Sequence, residues 1–388
     1  MRRRRLRAEL VTVVPFVLAG CVAPVSDAAQ PPEVTLTPAR GSRNVPISAE
    51  LGIGVTGGRV ADVRLADDQG TVVPGAMRDD GSSWVPSQPL QYGRSYIAQV
   101  TAVNAYGRTR TRTTTFTTMA PPDKLHHSTL YLKDGETYGV AMPVTLRFDP
   151  PVPKEARAAV QRRLFVTTDP PQPGVWHWEA DGRQVYYRAR QFWRPGTRIT
   201  VRAALAGVPM GEGRFGATDH VASATIGNKV VIEIDNATKH MSVFIDDRLA
   251  RRIPVSLGKP STPTSSGTMV IMEKLERTVF DTRGEPNGGY VIEVEDAQRL
   301  TWGGEFIHAA PWSVAAQGRE NVSHGCTNIS PADADWLMSV THVGDPVTVT
   351  NTEVRLARGN GWTAWDMSWE EYIQGSALPV PEELRTAA

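Results

Sequence analysis

Cysteine is nearly absent: the 388 residues hold two, Cys21 and Cys326. No disulfide framework can be built on that number, and a bond between these two would leave neither thiol free to react. An excess of charge of one sign is missing as well. Lys and Arg number 42 against 41 Asp and Glu, a formal net charge of +1, so the basic footprint of a nucleic-acid partner is lacking. Metal-ligand spacing is missing among His126, His127, His177 and His220, which read as structural or solvated. Long hydrophobic runs are missing too. The apolar stretch Leu10-Val11-Thr12-Val13-Val14-Pro15-Phe16-Val17-Leu18 is too short to span a bilayer comfortably, and Pro15 interrupts it. What is abundant is turn chemistry: 34 Gly and 29 Pro, with many Thr and Val, favour β modules over helix bundles.

The charge is unevenly spread. Five arginines against Glu9 place +4 in the first ten residues, which leaves about −3 for the rest. A basic start, a short apolar run and then small residues read as an export signal over 1–20. Its end, Leu18-Ala19-Gly20-Cys21, looks like a bacterial lipobox, with Cys21 expected to become a lipidated first residue. Residues 21–31 are then an Ala/Pro-rich tether, and its ten residues 22–31, fully extended, reach at most roughly 35 Å. This predicts a lipid-anchored protein on the outer face of the cytoplasmic membrane, within the cell envelope.

Two β modules follow. Over 32–119, short alternating segments such as Ser95-Tyr96-Ile97-Ala98-Gln99-Val100 are separated by turn residues, as in an immunoglobulin-like sandwich. Ala120-Pro121-Pro122-Asp123 reads as a linker. A second sandwich over 124–227 carries Val144-Thr145-Leu146-Arg147-Phe148 and Gln184-Val185-Tyr186-Tyr187-Arg188, with one short helix expected over Glu155 to Leu164. Neither module shows a reactive constellation, so their expected job is to project the next domain from the membrane.

That domain, over 228–350, carries the chemistry. Ser323-His324-Gly325-Cys326-Thr327-Asn328 places a thiol beside a glycine, and His308 lies upstream in Phe306-Ile307-His308-Ala309-Ala310-Pro311-Trp312. A thiol attacks a carbonyl once deprotonated, and an imidazole can take that proton. Backbone N–H groups near Gly325 and Cys326 can stabilise the oxyanion. His324 sits two residues from Cys326, on the same face of an extended strand, so it too can serve as base. A zinc site from His308, His324 and Cys326 lacks a fourth ligand, so no metal is expected.

His308, fourteen intervening residues and then Ser-His-Gly-Cys-Thr-Asn resembles the L,D-transpeptidase signature of the YkuD-type catalytic domain. The resemblance implies Cys326 as nucleophile, His308 as base and His324 shaping the site. It implies that the backbone carbonyl of Ala309 orients the base, where many relatives have serine. Ser323, Asn328, Trp312 and Tyr290 are expected to position the loop and substrate, with Arg319 flanking the cleft. Trp302 stands where relatives have a tyrosine assigned to the oxyanion, and is expected to cover the cleft. Residues 276–304 are expected to form a flap, while Lys259, in Gly258-Lys259-Pro260, reads as surface.

The remaining elements are legible from capping. Ser330, Pro331 and Asp333 start a helix, and Ser368 with Glu371 starts another in a tail over 351–388 that holds Trp362, Trp365 and Trp369. That tail resembles the C-terminal cap of mycobacterial members. The fold class expected is mainly β: two immunoglobulin-like sandwiches, a mixed β-rich catalytic domain and a Trp-rich cap. The resemblance further implies transfer of a peptidoglycan tetrapeptide stem through a Cys326 thioester to another stem, giving 3-3 cross-links, with carbapenems as inhibitors and no cofactor. Water as acceptor, an L,D-carboxypeptidase, and an inactive wall-binding lipoprotein are the alternatives.

Overall fold

The computed structural model describes residues 30–78, 81–281, 283–284, 289 and 291–386. The signal segment 1–20, Cys21 and Tyr290 lie outside these residues. Two compact units divide the chain, the first built mainly from Glu50–Val85 and Ser95–Phe116, the second mainly from Thr117 onward.

In the first unit, Glu33–Thr37, Leu51–Thr56, Ser83–Pro86 and Gly75–Met77 make one sheet. Thr109–Thr118, Ser95–Val103, Arg59–Asp67 and Val72–Val73 make most of the other. The alternation read over 95–103 decides which face is core. Tyr96, Ala98, Val100 and Ala102 are buried while their neighbours face outward, and Tyr96 stacks on Phe116.

The second unit opens with another pair of sheets. One holds Gly174–Trp178, Gln184–Ala189, Val144–Asp149, Leu125–Leu130 and Phe215–Gly216; the other holds Thr137–Tyr138, His220–Ile226, Arg198–Ala203 and Leu164–Asp169. The helix between them is shorter than expected, Lys154–Gln161, because Leu164 already starts a strand paired with Ala203.

A six-stranded sheet then runs in the order Arg248–Pro254, His240–Ile245, Val230–Asp235, Pro346–Thr350, Ser265–Val270, Val354–Arg355. Asp246 and Asp247 both take positive φ, 48° and 63°, the two-residue turn that matches strand twist. Val230, Ile232 and Ile234 point inward and join Val243, Val347, Ile307 and Leu337 in one apolar core. A smaller sheet of Glu273–Asp281, Val291–Arg299, Phe306–Ala309 and Thr327–Ile329 carries the site. The expected flap is therefore largely a hairpin rather than a loop. Its strands alternate, with Phe280, Ile292 and Val294 less exposed than Val279 and Val291, and Arg277 bridges Glu293 and Glu295 across the outer face.

Helix Pro331–Val340 follows, with the Ser330 side chain accepting from the Asp333 N–H. Ser368 and Glu371 complete a reciprocal capping box at helix Trp369–Ile373. Trp362 and Trp369 are buried in the apolar core of the second sandwich, where the Arg188 guanidinium lies over the Trp365 and Tyr372 rings.

Candidate active site

Strands Phe306–Ala309 and Thr327–Ile329 run parallel and in register, with His308 opposite Asn328. Paired residues on neighbouring strands share a face, and residues two apart on one strand share it again. This places His308, Asn328 and Cys326 together, and all three line one cavity of about 380 Å³. Phe280, Ile292 and Val294 from the hairpin form its apolar wall, with Trp312, Val322, Ser323 and His324 completing it.

His308 is 4% exposed. Its Nδ1 lies 2.8 Å from the Ala309 carbonyl oxygen, so Nδ1–H donates there and Nε2 is left as the basic nitrogen. Burial pushes the imidazole below the ordinary histidine range, and the hydrogen bond to Ala309 only partly offsets it. Phe280 meets the ring edge-on at 5.3 Å, and Trp312 lies at 6.0 Å. A neutral imidazole locked in one tautomer is suited to accept a proton.

The thiol loop is held from several sides. Ser323 Oγ donates to the Cys326 carbonyl at 2.6 Å and accepts from the Gly325 N–H at 3.1 Å. Thr264 Oγ1 donates to the Gly325 carbonyl at 2.8 Å. Gly325 has φ +121°, and a Cβ placed there would meet nothing closer than 3.9 Å, so backbone conformation rather than crowding demands glycine. Cys326 is half-buried, with Sγ 3.6 Å from the Gly304 carbonyl oxygen. Asn328 donates from Nδ2 to Ser313 Oγ at 3.1 Å, so it braces the segment that carries Trp312. Trp312 itself is 53% exposed at the cavity.

Two expectations are corrected. Trp302 does not cover this cleft. Its ring packs 5.9 Å from Tyr131 under the Arg147 guanidinium and lines a separate cavity of about 630 Å³ with Tyr138 and Trp362. The apolar face of the second sandwich draws the indole there, while the backbone two residues on, at Gly304, stays near Cys326. Lys259 is not a bystander on the surface, since its Nζ lies 3.0 Å from His324 Nε2. The wall residues Phe280, Ile292 and Val294 were also missed, although the alternation Thr278-Val279-Phe280 was a usable signal. Arg319 is exposed and is not among the residues lining the cavity.

Residues 42–209 match a bacterial Ig domain, and residues 229–349 match an L,D-transpeptidase catalytic domain, YkuD. The chain is 33% identical to L,D-transpeptidase 2 of Mycobacterium tuberculosis over 97% of its own length and 96% of that protein. It is 34% identical to L,D-transpeptidase 5 of the same species, over 95% of this chain and 83% of that one. An L,D-transpeptidase solved in complex with imipenem is 32% identical, spans 59% of this chain and all of that one, and has a TM-score of 0.49. With similarity over nearly the whole length of two such proteins, and with the catalytic-domain match enclosing the strands that bring His308 and Cys326 together, this chain belongs to the L,D-transpeptidase family of acyltransferases.

Proposed function

We propose that Cys326 is the nucleophile and His308 the base of an acyl transfer between peptidoglycan stem peptides. The observation that carries this reading is the single cavity lined by Cys326 and by a buried His308 whose Nδ1 is committed to Ala309. His308 Nε2 takes the thiol proton, and the thiolate attacks the carbonyl carbon of the third residue of a tetrapeptide stem, in the peptide bond to the terminal D-alanine. Backbone N–H groups of the Gly325–Cys326 loop receive the oxyanion. As the C–N bond breaks, His308 returns the proton to the departing D-alanine amine and a thioester remains. The amine of a second stem attacks the thioester, His308 takes its proton, the C–S bond breaks and a 3-3 cross-link is left.

Carbapenems enter the same path by acylating Cys326 through their strained lactam. Cys21 carries a lipid that holds the protein at the outer face of the membrane, and Cys21→Ser is expected to move the protein out of the membrane fraction or leave it as an uncleaved precursor. Incubation with disaccharide-tetrapeptide tests the main reading. Dimers with a 3-3 linkage and free D-alanine are expected. Tripeptide without dimer marks a carboxypeptidase instead, and an unchanged substrate contradicts both.

A further inference from the structure

Residues 359–361 of the tail lie beyond the catalytic-domain match and are anchored on the second sandwich. The hydroxyl of Tyr186, a fully buried residue, donates to the Gly361 carbonyl at 2.9 Å. The Gly359 N–H donates to Thr363 Oγ1 at 3.0 Å, and the Asn360 N–H donates to the Ala357 carbonyl at 3.1 Å. This segment is pressed on the loop that leads into the strand Phe306–Ala309. A Cβ added at Gly361 would lie 2.8 Å from the Leu300 carbonyl oxygen, and one added at Gly303 would lie 3.2 Å from Asn360 Nδ2.

Asn360 also bonds that loop directly, its Oδ1 accepting from the Gly303 N–H at 2.7 Å. The next residue, Gly304, presents its carbonyl oxygen 3.6 Å from Cys326 Sγ, within the longer reach of a sulfur donor. The loop is curved from within, by the Gly304 N–H on the Thr301 carbonyl at 3.3 Å and the Glu305 N–H on Thr301 Oγ1 at 3.0 Å. Asn360 holds it from outside the catalytic domain. A carbonyl bonded to the thiol fixes the sulfur, because rotation about Cα–Cβ breaks that contact. Rotation about Cβ–Sγ stays free, so the hydrogen can turn toward His308 while the sulfur keeps its place.

We infer that Asn360 is a positioning residue for the nucleophile, holding the turn at Gly303 and Gly304 where the Gly304 carbonyl accepts the Cys326 S–H. The tail, and through Tyr186 the second sandwich, thereby help to set the position of the sulfur. This rests on the acyl-transfer reading only for the consequence in rate; the contact itself stands without it. The substitution Asn360→Leu removes the acceptor at similar size. Asn360→Asp keeps an acceptor oxygen in place.

The test is made on the full chain, with the infrared S–H stretching band as one readout and acylation by imipenem as the other. The Cys326 band is isolated by subtracting the spectrum of Cys326→Ala, in mildly acidic solution where the thiol keeps its proton. Wild type is expected to show a band below that of its own unfolded chain, as a bond to a carbonyl requires, and Asn360→Leu to shift it upward. The acylation rate constant of Asn360→Leu falls roughly five- to fiftyfold, the scale of a reacting group slightly out of place, and Asn360→Asp recovers most of both changes. A wild-type band no lower than that of the unfolded chain overturns the inference, as does an Asn360→Leu protein with the wild-type band and a rate within about twofold of wild type. An equal loss in Asn360→Asp also overturns it, since the acceptor oxygen would then have no part. If Asn360→Leu does not fold, Asn360→Ala, which adds no bulk, takes its place. Failure of wild type to be acylated at all strikes the acyl-transfer reading and leaves the band result intact.

Discussion

At the scale of single residues, the chemistry depends on which nitrogen carries a proton. His308 is buried and its affinity for a second proton is lowered, so it remains a neutral base into mildly acidic solution. The acidic limb of carbapenem acylation is therefore expected below the ordinary histidine value of about 6.5, read from rate constants across pH 5 to 8. A limb above that value would contradict the burial argument. His308→Ala is expected to slow acylation by about 10²–10⁴, the usual contribution of a positioned base, without loss of the fold by circular dichroism. Cys326, His308 and the carbonyl of Ala309 were legible in the sequence because they lie in one short window with a characteristic spacing. Lys259 was not, because its partner His324 is 65 positions away and only strand pairing brings them together.

At the scale of elements, the segment expected to form a flap contains the hairpin over Glu273–Asp281 and Val291–Arg299, whose strands the sequence reading did not identify. Its charged residues pair across the exposed face while Phe280, Ile292 and Val294 line the cavity. Trp302, on the loop after this hairpin, belongs to other packing. Its indole N–H is buried without a hydrogen-bond partner among the described residues. Trp302→Phe is therefore expected to change carbapenem acylation by less than about fivefold, under 1 kcal/mol in the barrier. A fall of a hundredfold would place the indole at the reacting carbonyl after all. The helix starts were read correctly because Ser330 and Ser368 cap locally, within three residues, and need no tertiary information.

At the scale of the second compact unit, the tail bolts sandwich and catalytic domain together. Arg188, 2% exposed, donates to the carbonyls of Ala364 and Met367 at 2.9 and 3.2 Å while lying over Trp365 and Tyr372. Burial lowers its pKa to about 10, still well above neutrality, so it stays charged. Arg188→Lys loses the planar fork and the stacking, and is expected to cost roughly 2–3 kcal/mol in thermal or urea unfolding. That the tail is tryptophan-rich was visible in the sequence; that one buried arginine organises it was not, since Arg188 alternates within an ordinary strand.

Asp345 sits where the two domains meet, fully buried, accepting from the His342 N–H at 2.7 Å. Gly139 of the sandwich approaches so closely that an added Cβ would lie 2.1 Å from Asp345 Oδ1. Burial pushes this carboxyl up to about 7. The folded pKa exceeds the unfolded one of about 3.9, so the folded protein holds its proton longer. Stability from this group is complete below about pH 4 and is lost as pH rises through about 7, on the order of 2–4 kcal/mol in all. Asp345→Asn is expected to melt near wild type at pH 4 and above it at pH 7.5. A variant less stable than wild type at pH 7.5 would contradict that sign.

The most direct measurement of the central claim is the intact mass of the protein after incubation with imipenem, for wild type and Cys326→Ala side by side. Wild type is expected to gain one imipenem per chain, with the adduct on the peptide that contains Cys326, and Cys326→Ala is expected to gain none. An equal gain in both proteins, or none in wild type, would show that the acyl group does not go to Cys326.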